Sequence, residues 1–256
     1  MERYRQSMSD EIQHPEAEPA EATPERATAD PFLSLKRGGT EIYLIRHADA
    51  LPGAEEVADG GYDEQALSEV GRRQAEALGA RMRGVPVAAV YSSPIGRARE
   101  TAAAVATGHG LEVRIEHELR EVELGPIGPD LNSGISQAEL SKMLRQRLGE
   151  IAAIAVTTGS WSSIPGSEPS ARLRARVTAA IDGLARRHPG ERIAVVSHAG
   201  AINAYIAAML GLTNDYFFPA ANTSVSIVRV KSARFMLLAL NDVHHLLAAG
   251  LLKVME

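Results

Sequence analysis

The sequence contains no cysteine, which excludes disulfides and thiol chemistry and permits a reducing compartment. It has no apolar run approaching the ~18 residues that a bilayer-spanning helix needs. The residues after Met1 (Glu2, Arg3, Tyr4) lack the apolar core of a secretory signal. Positive charge is not in excess either. The net charge of −5 gives no general attraction to nucleic acid or to an anionic membrane surface. These absences leave the cytoplasm as the expected location. What remains is a chain of 256 residues, 45% hydrophobic and 23% charged, which suits one soluble domain with a substantial core.

Residues 1–38 differ from the rest. The stretch from His14 to Glu25 is rich in Pro, Glu and Ala and has little to bury, so a disordered leader is expected there, with the domain running over 39–256. That leader holds eight acidic and five basic residues, and so most of the net negative charge. From Thr40 onward apolar strand-length runs alternate with helix-length segments. Strands are expected at 41–46, 85–92, 112–115, 192–197, 224–230 and 234–240. Helices are expected at 68–83, with Ser68 as its cap, from Pro94 to 107, and at 136–149, 168–188 and 200–210. The alternation implies an α/β domain, a three-layer α/β/α sandwich on a mostly parallel sheet.

Two strands end in the same way. Ile42-Tyr43-Leu44-Ile45 delivers Arg46 and His47, and Ile193-Ala194-Val195-Val196-Ser197 delivers His198, followed by Ala199-Gly200. In an open α/β sheet, ligands bind in the crevice beyond the carboxyl ends of the strands. A histidine at a strand end is by itself weak evidence. An adjacent arginine changes this, because a buried guanidinium needs an anion and its planar fork fits phosphate. Neighbouring guanidiniums would also keep the His47 imidazole unprotonated and nucleophilic near neutral pH. Ser93-Pro94 marks a helix start, and Arg97 falls on its first turn; spacing leaves open whether Arg97 reaches the crevice or the surface, whereas Arg99 points elsewhere. Glu121 and Glu123 follow the third strand, and alternation sends both away from Arg120 without choosing between them.

Six short motifs then occur in order: Arg46-His47-Ala48, Leu67-Ser68-Glu69 leading to Gln74-Ala75, Ser92-Ser93-Pro94 with Arg97-Ala98 and Thr101-Ala102, Leu119-Arg120-Glu121, Gly166-Ser167-Glu168, and Ser197-His198-Ala199-Gly200. Over roughly residues 40–240 the chain resembles the histidine phosphatase superfamily, the phosphoglycerate mutase-like group. Asn222-Thr223-Ser224 before the penultimate strand fits as well. The resemblance implies a phosphoglycerate mutase-like fold and a phosphoric monoester hydrolase of the histidine acid phosphatase type. His47 would be the phosphorylated nucleophile. Arg46, Arg97, His198 and the Ala199 amide would bind the phosphoryl group, and Glu121, with Glu123 as the fallback, would protonate the leaving alcohol. No metal and no cofactor are implied, since arginines and imidazole stabilise the phosphoryl charge.

The chain also departs from that pattern. Members often carry glycine, threonine and asparagine where this chain has Ala48, Ala50 and Gly53, and the missing asparagine removes a polar contact to phosphate. Val122-Glu123-Leu124-Gly125-Pro126 lacks the aromatic-Glu-Gly run common in members. The long Arg- and Pro-rich insertion of cofactor-dependent phosphoglycerate mutases is absent, which favours water as acceptor. The expected partner is a small phosphorylated substrate, with mutase-type transfer or a weak phosphate-ligand binding protein as the alternatives. Selectivity is expected in loops 49–66 and 126–168. Lys142, Arg145 and Arg147 read as a solvated helix face, Trp161 as a packing residue in its loop, and His244-His245 as ordinary terminal histidines without metal-ligand spacing. Ala- and Leu-rich helices leave a homodimer open.

Overall fold

The computed structural model describes residues 33–50, 66–125, 136–232 and 234–252. Residues 1–32 of the expected leader, Gly53, and the loop segments 51–65 and 126–135 lie outside them. The last residues of that leader, from Leu33, are described: a 3-10 turn spans Leu35–Arg37 and Leu33 is buried.

Among the described residues six strands and six α-helices follow: β1 Thr40–Arg46, α1 Glu69–Met82, β2 Ala89–Ser92, α2 Gly96–Thr107, β3 Val113–Ile115, α3 Gln137–Thr158, α4 Ser170–Arg187, β4 Arg192–Ser197, α5 Ala199–Leu210, β5 Val225–Lys231, β6 Arg234–Asp242 and α6 His244–Ala248. The strands form one sheet in the order β3-β2-β4-β1-β5-β6. β3, β2, β4 and β1 are mutually parallel, whereas β5 runs antiparallel to β1 and β6 antiparallel to β5. The turn between β5 and β6 is too short for a crossover, so that pair can only be a hairpin.

Alternation along the strands sorts the core into two layers. Ile42, Leu44, Ile193 and Val195 pack with Ile151, Leu173, Val177 and Tyr205 from α3, α4 and α5. Tyr43, Ile45, Ala194 and Val196 pack with Leu78 and Met82 of α1 and Ala98, Ala102 and Val105 of α2. The three-layer α/β/α sandwich is therefore built from strands apolar on both faces, as parallel sheets require. Among the described residues, no helix is long and apolar enough to cross a membrane.

Several expected boundaries moved. The second strand begins at Ala89 rather than 85, because Pro86 has no N–H to give a ladder. The helix from Ser93-Pro94 begins at Gly96 with Ile95 as its cap, which still leaves Arg97 on the first turn. The third helix runs through Gly149 to Thr158, since Ile151 and Ala155 continue its buried stripe until Gly159 ends it at φ 66°. Ser68 caps α1 as expected, its side chain accepting from the Gly71 N–H.

The order of connection positions the site. β1 and β4 are neighbours, yet α1, which follows β1, lies on one face and α5, which follows β4, on the other. The two chains diverge where they leave the sheet and open a crevice at its carboxyl edge.

Candidate active site

His47 and His198 leave β1 and β4 at that divergence, and β2 contributes Ser93 beside them. The His47 N–H donates to the Ser197 carbonyl at 2.9 Å and the Ser93 N–H to the Val196 carbonyl at 3.0 Å, so the three strand ends stay in register past the last ladder residue. The two imidazole rings lie 5.0 Å apart between centroids, tilted by 57°. Both are buried, with 8% of His47 and none of His198 exposed.

Hydrogen bonds settle the tautomers. The Nδ1 of His47 lies 2.7 Å from the Ala48 carbonyl, which can only accept, so the proton sits on Nδ1. Its Nε2 is left as a lone pair and accepts from Arg97 Nε at 3.2 Å. His198 contacts Ser93 Oγ through Nε2 at 2.9 Å and Arg97 Nη2 through Nδ1 at 3.5 Å. Burial, then Arg46 and Arg97, push the His47 imidazole well below its usual range, with the bond to Ala48 opposing. His198 is pushed the same way by burial first, then by His47 and the guanidiniums of Arg97 and Arg46. Both rings are thus neutral at pH 7, and the positive charge between them belongs to arginine.

Arg97 is 3% exposed, so of its two readings the structure selects the crevice, while Arg99 faces solvent. Thr101 holds the turn in place by accepting from the Ala48 N–H at 3.0 Å and donating to the Arg97 carbonyl at 2.7 Å. Arg46 reaches across β5 and donates from Nη1 to the Ala220 carbonyl at 2.5 Å. Ala199 is the first residue of α5, where main-chain N–H groups have no intrahelical acceptor.

The acidic loop corrects one expectation. Residues after β3 form a 3-10 turn over His117–Leu119 and then irregular backbone, so a two-residue alternation does not apply. Glu123 lies on the same side as Arg120 and pairs with it at 3.2 Å, both exposed. Glu121 turns inward to the amino end of α5 and accepts from the Gly200 and Ala201 N–H groups at 3.3 and 3.2 Å. Gly200 makes this approach possible, because a Cβ there would fall 2.5 Å from Glu121 Oε1 and 3.0 Å from Trp161 Cζ2. Glu121 therefore sits beside His198, and Glu123 does not enter the crevice.

Several residues that the sequence reading left aside support this arrangement. Glu168, buried in the Gly-Ser-Glu motif, binds Arg176 through both oxygens at 2.8 Å. Arg176 in turn donates to the carbonyls of Glu118, Arg120 and Glu121, which holds the acidic loop against α4. Ser197 Oγ donates to the Leu119 carbonyl at 2.7 Å and ties the same loop to β4. Trp161 is buried in the core, as expected of a packing residue, and meets Tyr216 edge to face at 5.6 Å. Burial pushes the Tyr216 hydroxyl up, with Arg46 opposing and Glu121 adding, so the phenol lies in the field of both charges. Glu168 and Ser197 had a sequence signal in their motifs, and Trp161 in its loop, but none of those signals gave the partner. On the third helix, Lys142 is exposed and Arg147 pairs with Glu150 on the surface at 3.2 Å, consistent with a solvated face.

Comparison with known proteins identifies the family and the fold. The model of the histidine phosphatase superfamily (branch 1) matches residues 42–243. Phosphoglycerate mutase-like protein 4 of Arabidopsis thaliana is 30% identical over 224 residues, which cover 83% of this chain and 90% of that protein. A probable phosphoglycerate mutase GpmB of Salmonella choleraesuis is 28% identical over 172 residues, covering 67% and 75% respectively. Among solved structures, Bacillus stearothermophilus YhfR superposes with a TM-score of 0.62 at 28% identity, over 80% of this chain and 98% of that one. Phosphoglycerate mutase from Bacillus anthracis, at 20% identity and a TM-score of 0.62, shares the fold. With its two histidines at the crevice and the family model spanning β1 through β6, this chain belongs to the histidine phosphatase superfamily.

Proposed function

We propose that the protein is a metal-independent phosphomonoesterase that acts on a small phosphorylated metabolite through a phosphohistidine at His47. The observation that carries this reading is the state of His47. Its Nδ1 proton is fixed on the Ala48 carbonyl, and its Nε2 lone pair points at Arg97, a group suited to phosphate. In the first step Nε2 attacks phosphorus in line, a P–N bond forms, and the P–O bond to the alcohol breaks. Glu121 gives its proton to the departing oxygen. In the second step Glu121 takes a proton from water, the water oxygen bonds to phosphorus, the P–N bond breaks and Nε2 recovers its lone pair.

Arg46, Arg97, His198 and the Ala199 amide surround the transferring group. Little covalent work is left for them, because phosphoryl transfer is catalysed chiefly by positioning and by charge stabilisation. Water as acceptor makes this a phosphatase. Transfer back to a phosphoglycerate would make it a mutase, and the mutase names of two relatives keep that second reading in view.

The test is phosphate release from a panel of phosphomonoesters in EDTA, comparing the parent protein with His47→Ala. Activity that resists EDTA and disappears in the variant supports the proposal, as does an acid-labile phosphoenzyme. No release from any ester by folded protein would overturn it. Isomerised 3-phosphoglycerate in place of free phosphate would select the mutase.

A further inference from the structure

The histidine pair at the carboxyl end reads from sequence as an ordinary terminal feature. In the structure the two side chains part company: His244 is exposed, whereas His245 is 6% exposed and packs behind the strand that carries His47. We propose that His245 is a positioning residue for the nucleophile, setting through Thr223 the main chain on which Arg46 and His47 stand. This rests on the reading of His47 as the group that attacks phosphorus.

The chain of contacts has one possible proton order. Arg81 on α1 donates from Nη1 to the Nδ1 of His245 at 3.2 Å, and a guanidinium has no lone pair to accept with. Nε2 of His245 therefore carries the proton and donates to Thr223 Oγ1 at 3.0 Å. Thr223 Oγ1 passes its own proton to the Asn222 carbonyl at 2.8 Å. Arg81 is itself held by Asp242 at 2.6 Å. No rotation or tautomer exchange is left to any member while Arg81 stays in place.

Thr223 is where this order bears on the site. It is fully buried and has φ 54°, a left-handed conformation that a β-branched residue adopts only when its surroundings hold it there. In that conformation its N–H donates to the carbonyls of Arg46 and His47, at 3.0 and 3.3 Å. Asn222 Nδ2 adds a third bond, to the His47 carbonyl at 3.0 Å. The Arg46 N–H completes the clasp by donating to Ser224 at 3.2 Å. The side-chain bond from His245 is thus the outer support of a strained residue whose main chain grips the nucleophile.

The groups facing His245 keep the required tautomer. Burial and Arg81 push its imidazole down to about 4, with Asp242 opposing and His244 adding to the fall. It stays neutral throughout the range in which His47 would be used.

The experiment compares His245→Leu, His245→Gln and Thr223→Val with the parent protein. His188→Gln is the control: His188 is 8% exposed, bonded to Tyr91 and Glu191, and lies before β4, at the far end of the strand from His198. Steady-state rates on p-nitrophenyl phosphate are read alongside the NMR signals and titration of the His47 imidazole. Expected are a fall of about tenfold to a hundredfold in kcat for His245→Leu, with KM changed by less than about threefold, since displacing an attacking group costs rate before it costs binding. The His47 titration midpoint should move in the same variant. His245→Gln, whose amide can still donate to Thr223, should recover most of both. His188→Gln should lower Tm and leave kcat alone.

Thr223→Val keeps the β-branch and removes only the hydroxyl, so it decides the matter if His245→Leu does not fold. Parent-like kcat and parent-like His47 signals in Thr223→Val or folded His245→Leu would overturn the proposal. If the parent hydrolyses no ester, the phosphatase reading falls. The His47 signals alone then test the clasp: a shift in the variants supports it and no shift overturns it.

Discussion

Arg97 donates its Nε–H to Nε2 of His47 across 3.2 Å, a bond that the proposed attack on phosphorus through the same lone pair would break. The guanidinium is then already beside the oxygens that acquire charge, without further side-chain reorganisation. It also helps keep the imidazole unprotonated. Arg97→Gln is expected to lower kcat/KM by about a hundredfold to a thousandfold. The NMR titration midpoint of His47, below the usual imidazole range in the parent, should rise in the variant. An unchanged midpoint would show that burial and Arg46 set it without Arg97.

Glu121 and Glu123 are two residues apart and are expected to behave oppositely. Glu121→Gln keeps the shape and an oxygen for the α5 amides but has no proton to deliver. It should lose about a hundredfold to ten-thousandfold on alkyl phosphates. The loss should be smaller on p-nitrophenyl phosphate, whose leaving group departs without protonation. Glu123→Gln breaks only an exposed pair with Arg120 and should change neither rate nor Tm measurably. Equal losses in the two variants would reopen the choice of proton donor.

Gly200→Ala should separate activity from stability. Its new Cβ would meet Glu121 Oε1 at 2.5 Å, and a carboxylate at the end of a flexible side chain can move aside at little cost to folding. Trp161 Cζ2, at 3.0 Å, leaves the methyl little other room. The expected outcome is a Tm within a few degrees of the parent and a rate reduced in the manner of Glu121→Gln. A parent-like rate would mean that Glu121 acts from elsewhere.

Glu168 and Arg176 carry the largest expected loss of stability. Their side chains are 0% and 7% exposed, and breaking a buried pair on one side costs about 3–5 kcal/mol. Burial would raise the Glu168 carboxyl, but the Arg176 bonds outweigh it and hold the group below its usual range. A depressed carboxylate contributes stability that is complete above its unfolded pKa and is lost as pH falls through the folded one. Urea titrations of the parent and Glu168→Gln should therefore differ most near neutral pH and converge below about pH 4. The buried neutral rings of His47 and His198 add an earlier loss, beginning as pH falls below about 6.5, where the unfolded chain takes up their protons.

Much of the fold was legible because it depends on local rules. Ser68 announces α1 by capping it. Ile42 to Ile45 reads as a doubly buried strand because all four residues are apolar. The errors were equally local in cause. The third helix was expected to end at 149, but the buried residues beyond it, Ile151 and Ala155, carry it through to Thr158. Alternation failed for Glu121 and Glu123 because a rule for extended chain was applied to a 3-10 turn and the loop after it.

By itself the sequence determined which side chains would arrive at strand ends: Arg46 and His47 after β1, Arg97 in the first turn of the helix after β2, and His198 before α5. It also placed two imidazoles among guanidiniums, since short motifs in order carry that information. Only the tertiary structure decided which of them meet. Arg97 could have faced solvent, Glu123 could have replaced Glu121, and His245 could have been a frayed end. Each choice depends on contacts between residues about 20 to 180 positions apart: His47 with Arg97, Glu121 with Gly200, Thr223 with His47 and with His245 beyond it. Hydrogen bonds of that kind follow from strand order and from which face each helix takes, and no periodicity along the chain records them.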